Sequence, residues 1–116
     1  MKSFMVQPFA QRVSCTKDKK QFASRYNRNV GDGEKLTIAE LDTCSGMAVY
    51  LDKRDKPPLF MIFLSTDCTF TLFHESLHMT HFIMSYCDAP INIESTETQA
   101  YLLEYIAKQG RLKLFG

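Results

Sequence analysis

Three features of the chain predict a mixed α+β fold, with a small mixed sheet packed on two helices. Apolar runs of strand length at residues 47–51 and 59–64 flank a polar connection. Residues 65–87 form a long, mainly apolar stretch of helical length, closed by Asp88-Ala89-Pro90. A second helix start is written at Thr96-Glu97-Thr98-Gln99, with Thr96 as N-cap and Gln99 at the third helical position.

The remaining elements follow in order. The first 15 residues hold short apolar runs for one or two strands, and residues 11–15 alternate polar and apolar. Thr16 is placed to cap a helix over residues 17–27, with Asp18 in its first turn and Phe22 and Tyr26 on one face. Gly31-Asp32-Gly33 is a turn, and residues 34–45 have no single reading. Residues 52–58, charged and ending in two prolines, form the tip of a hairpin between the two apolar runs. In the long helix, Phe70, Phe73, Leu77 and Met84 fall on one flank. Leu72, Met79, Phe82, Ile83 and Tyr86 fall on the other, with His74, His78, His81 and Ser85 between them. Apolar residues on both flanks predict a mostly buried helix whose polar stripe needs partners. The second helix is expected to end near Gln109, with Gly110 as its stop and residues 112–115 as a strand or apolar tail.

At 116 residues the chain suits a single domain spanning 1–116. A net charge of +1 gives no support for nucleic-acid or membrane-surface binding. No segment is long and apolar enough to span a bilayer, and the first residues lack a signal-peptide core, so a cytoplasmic location is expected. The four cysteines, without a C-x-x-C pair, are expected as free thiols.

The chemistry concentrates in His74-Glu75-Ser76-Leu77-His78, an H-E-x-x-H motif on the long helix. Positions i and i+4 lie one above the other on a helix, so two imidazoles there can hold one Zn²⁺. The glutamate beside the first histidine is then placed as general base toward a water at the metal. A catalytic zinc site needs a third protein ligand. Glu97 is the first candidate, 19 residues after His78 in an E-x-x-A pattern whose small Ala100 allows close helix approach. Glu94, Glu104 and His81 are the others, although His81 lies about 10.5 Å along the axis from His74. The longer H-E-x-x-H-x-x-G-x-x-H pattern is excluded, because His81 and Met84 stand at its glycine and last histidine.

The pair His74-Glu75-x-x-His78 and Glu97-x-x-Ala100 resembles the gluzincin branch of the zincin metallopeptidases. The whole chain further resembles small zincin-like proteins of tailed bacteriophages and prophages. That likeness runs through Cys15-Thr16-Lys17-Asp18-Lys19-Lys20-Gln21-Phe22, Gly46, residues 71–78 and Glu97-x-x-Ala100-Tyr101-Leu102-Leu103. The resemblance implies a minimal zincin-like domain, with an edge strand above the H-E-x-x-H helix and a second helix carrying Glu97. It implies Zn²⁺ on His74, His78 and Glu97, with Glu75 as base; Tyr101 and His81 are candidate stabilisers of the oxyanion. The expected activity is peptide-bond hydrolysis in a protein substrate in the host cytoplasm. The alternative is a catalytically silent, zinc-binding interaction module; hydrolysis of a non-protein amide is a third reading. The basic cluster of Lys17, Lys19, Lys20, Arg25 and Arg28 reads as a solvated helix face.

Overall fold

In the computed structural model, which describes residues 1–116, the sheet is built around its most apolar strand. The strands are β1 (Lys2–Val6), β2 (Gln11–Thr16), β3 (Gly46–Leu51) and β4 (Leu59–Leu64), in the order β1-β2-β4-β3. β4 pairs parallel with β2 and antiparallel with β3, while β1 and β2 form an antiparallel hairpin. All six residues of β4 are buried, because helices cover both faces of the sheet. This accounts for an unbroken Leu-Phe-Met-Ile-Phe-Leu run in place of alternation. Leu59, Met61 and Phe63 enter one core with Phe22, Ala23, Leu36 and Leu41. Phe60, Ile62 and Leu64 enter the other with Leu72, Met79, Ile83, Leu102 and Ile106.

The first of these cores lies under α1 (Lys19–Asn29) and α2 (Ile38–Asp42), and the second under α3 (Thr69–Tyr86) and α4 (Thr96–Leu114). The fold is thus α+β with a four-stranded mixed sheet and four helices. α3 packs on β3 and β4, and α4 on β1 and β2. The two long helices run antiparallel: His81 meets Gln99 at one end, and Leu72 meets Gly110 at the other. No helix is long and apolar enough to cross a membrane.

Several local expectations are corrected. Asp18, not Thr16, caps α1: its carboxylate accepts from Gln21 N at 3.1 Å. Thr16 ends β2 and receives the Asp18 amide at 3.0 Å. Residues 34–45 contain α2, opened by a Thr37/Glu40 capping box. The capping box before α4 belongs to Asn92 and Ser95 of a 3₁₀ turn (Ile93–Ser95), so Thr96 is already helical. Gly110 does not stop α4. It lies buried where a Cβ would come within 2.9 Å of Leu72 Cδ1, and the helix continues to a buried Leu114. Residues 112–114 are therefore helical, with Leu114 in the core and Leu112 exposed.

The long helix is less buried than its composition suggests. Leu72, Ser76, Met79, Thr80, Ile83 and Met84 are buried, whereas Phe70, Phe73 and Leu77 are exposed. The sheet and α4 cover only part of the helix, so the flank of Phe70, Phe73 and Leu77 faces outward. The histidine stripe lies on this open side, with His74 and His78 exposed and His81 half-buried.

Candidate metal centre

Regular α-helix over Thr69–Tyr86 stacks His74 directly below His78. Their Nε2 atoms stand 3.3 Å apart, with the ring planes at 72°. Two ligands at about 2.0–2.1 Å on a tetrahedral centre are about 3.3–3.4 Å from each other. The imidazole pair therefore has the spacing of two ligands to one metal. The His78 ring lies nearly parallel to Phe82 at 6.3 Å, and Phe82 meets Tyr50 of β3 at 5.8 Å. This aromatic ladder ties the His78 side of α3 to the sheet edge.

Glu75 completes the group. Its ligand oxygen and the two imidazole nitrogens all lie within 4.8 Å of one another. The residue is only 7 % exposed, in contrast to its two exposed neighbours in the cluster. It is buried because the chain entering β3 crosses close over it: a Cβ on Gly46 would lie 3.1 Å from Glu75 Cγ and 2.7 Å from Thr71 Cγ2. Neither salt bridge of the chain involves Glu75; they join Lys17 to Asp67 and Lys19 to Asp42. A buried carboxylate without a cationic side chain, beside two imidazoles, is a donor set that a divalent cation satisfies. Its negative charge also reaches the neighbouring loop. Burial pushes the Cys44 thiol above its ordinary range, and Glu75 adds to that rise. An open cleft of about 390 Å³, lined by Ser45, Gly46, Phe70, Thr71, His74 and Glu75, leads to the group.

The structure brings His74, Glu75 and His78 together and leaves the other predicted residues outside the cluster. Glu97 is exposed in the first turn of α4. It is nine positions from the buried Ile106, about 180° around the helix. Glu94 is exposed in the 3₁₀ turn, and Glu104 lines a groove with Phe73, Lys108 and Arg111. His81 Nε2 lies 3.1 Å from Gln99 Oε1, so it joins α3 to α4. Tyr101 is half-exposed and stacks on Tyr105, whose hydroxyl donates to Met5 O of β1. That contact sets Tyr101 on the β1 flank of α4.

Gln99 and the Phe82–Tyr50 ladder escaped the motif reading. Gln99 was visible only as a capping residue. Its amide does reach back, donating to Asn92 O and Ser95 Oγ at 3.0 Å, while its oxygen serves His81. The four cysteines are free thiols. Comparisons with protein-family models, with curated proteins and with solved structures find no match to this chain.

Proposed function

We propose that the chain is a zinc-dependent hydrolase of peptide bonds, of the gluzincin type within a minimal zincin-like domain. The observation that carries this reading is the 3.3 Å convergence of His74 and His78 Nε2, with the buried Glu75 carboxylate beside them. His74 and His78 would hold the ion. Zinc, when bound, supplies Lewis-acid polarisation of a carbonyl and acidification of water. Glu75 takes a proton from the attacking water and delivers it to the departing amine, so the proton count balances. The close approach of Gly46 over Glu75 Cγ limits where that side chain can turn. The open cleft past Ser45 and Thr71 admits an extended chain beside the edge strand β3. Glu97 enters this reading as third ligand through the resemblance, not through the cluster, and is tested separately. Tyr101 is the candidate oxyanion donor, although it too lies outside the cluster.

The second reading, a zinc-binding interaction module, is favoured by a specific surface feature. Phe70, Phe73 and Leu77 are 85 %, 47 % and 43 % exposed beside the histidines. An apolar stripe of this kind suits a macromolecular partner, whether substrate or target.

Metal content by elemental mass spectrometry is the deciding measurement. Stoichiometric zinc is expected in the wild type and in Glu75→Gln, and loss is expected in His74→Ala and His78→Ala. Glu97→Ala decides the third ligand: a tenfold or greater loss of zinc affinity, about 1.4 kcal/mol, assigns Glu97 to the ion, and unchanged affinity removes it from the site. Peptide-library cleavage by the wild type but not by Glu75→Gln supports the hydrolase. A folded wild type that takes up no zinc overturns both readings, and zinc uptake without cleavage leaves the interaction module.

A further inference from the structure

A second site lies on the opposite face of the sheet from the histidines. In β2, Val13 and Cys15 point into the core beneath α3 and α4, so Arg12 and Ser14 point to the α1 side. There they line a cleft of about 370 Å³ together with Arg25 and Asn29 of α1 and Lys53 and Lys56 of the β3–β4 connection. This volume lies in the range of small-molecule sites, about 300–1,000 Å³. Four cations line it and no carboxylate does; the rest of the wall is two prolines, a leucine and a phenylalanine. In a chain with 14 basic and 13 acidic side chains, such a concentration of one sign is local. None of the four is in an ion pair, since both salt bridges use Lys17 and Lys19.

Of the four cations, Lys53 and Arg12 are held by hydrogen bonds to oxygen. Lys53 Nζ donates to Asn29 Oδ1 at 2.6 Å, which ties the hairpin tip to α1, and Asn29 Nδ2 donates to Arg25 O in the same helix at 2.7 Å. Arg12 is fixed by a 2.8 Å bond to Ser3 Oγ of β1. Ser14, only 3 % exposed, presents its hydroxyl to the same cleft. Like charges gathered round a concave surface raise its positive potential and favour a multiply charged anion. Guanidinium and ammonium groups with a hydroxyl are the donor set for phosphoryl oxygens.

We propose that this cleft binds an oligophosphate anion, free or as the tail of a nucleoside di- or triphosphate. Arg12, Arg25, Lys53 and Lys56 neutralise the phosphoryl groups, and Ser14 donates to one of their oxygens. Binding is independent of the histidine cluster, because the sheet separates the two.

The test is calorimetric titration of the full chain, with chelator present, using inorganic phosphate, pyrophosphate and ATP. Saturable pyrophosphate binding is expected, tighter than phosphate and weakened by added salt. The Lys53→Ala/Lys56→Ala double variant should weaken it at least tenfold, about the worth of one charged hydrogen bond. Ser14→Ala should weaken it severalfold, and His74→Ala should leave it unchanged; circular dichroism checks that each variant folds. ATP binding tighter than pyrophosphate assigns a nucleotide, and equal binding assigns the free anion. No saturable binding of any of the three by the folded wild type overturns the proposal. So does binding that the cleft variants leave intact.

Discussion

At the residue scale, the candidate metal centre depends on one glycine. Gly46 has no Cβ, so the entry to β3 settles onto α3 and buries Glu75. A methyl there meets Thr71 Cγ2 at 2.7 Å, the Phe63 carbonyl oxygen at 3.0 Å and Glu75 Cγ at 3.1 Å. Backbone cannot yield cheaply, so Gly46→Ala is expected to cost about 1–3 kcal/mol in chemical denaturation. It should also weaken zinc, measured by competition with a chromogenic chelator. Ser76 makes the opposite case. It is wholly buried, and its Oγ has no hydrogen-bond partner. Ser76→Ala removes an unsatisfied hydroxyl and adds a better helix former, so a gain of about 1 kcal/mol is expected. Zinc content should not change, because Ser76 occupies an unspecified position of the H-E-x-x-H motif.

At the element scale, the α3–α4 pair is set by close contact between Leu72 and Gly110. Glycine inside a helix costs about 1 kcal/mol relative to alanine. Here it makes room for a leucine that is 2 % exposed. Gly110→Ala is therefore expected to destabilise the wild type but to stabilise Leu72→Ala, where the methyl finds space. A double-mutant cycle by urea denaturation should show coupling above about 1 kcal/mol. Additive effects would show that the helices do not meet there. The same contact explains why a glycine that reads as a helix stop is passed through: helix propensity is a local preference, and packing against α3 outweighs it.

At the scale of the whole molecule, burial sets the alkaline limit of stability. Cys15 of β2 is 1 % exposed in the main core, and burial pushes its thiol from 9.0 to about 11, with Lys113 the largest opposing influence. The unfolded chain releases this proton at lower pH than the folded one. The Cys15 contribution to stability is therefore constant below pH 9 and is lost from there to about pH 11, by roughly 2–3 kcal/mol. Burial also raises the Cys44 and Cys87 thiols, which act in the same direction. Urea midpoints measured across this range should decline in the wild type and decline less in Cys15→Val.

The sequence by itself determined the order of elements around the site and the two histidines with their glutamate. These are properties of local spacing: apolar runs of strand length at 47–51 and 59–64, and an i, i+4 pair on a long helix. Spacing could not say which side of α3 would be covered. Its apolar residues run round most of the helix, and only the packing of β3, β4 and α4 left Phe70, Phe73 and Leu77 outside. Nor could it orient α4, where Glu97 lies opposite Ile106 and Gln99 reaches His81 instead. The cationic cleft was equally hidden. Arg12, Arg25 and Lys53 are far apart along the chain and read separately, as part of a strand, of a solvated helix face and of a hairpin tip. Only the parallel pairing of β2 with β4 and the docking of α1 across that face gather them. Long-range packing decides such features, because a helix or strand carries several faces and only its neighbours determine which one is used.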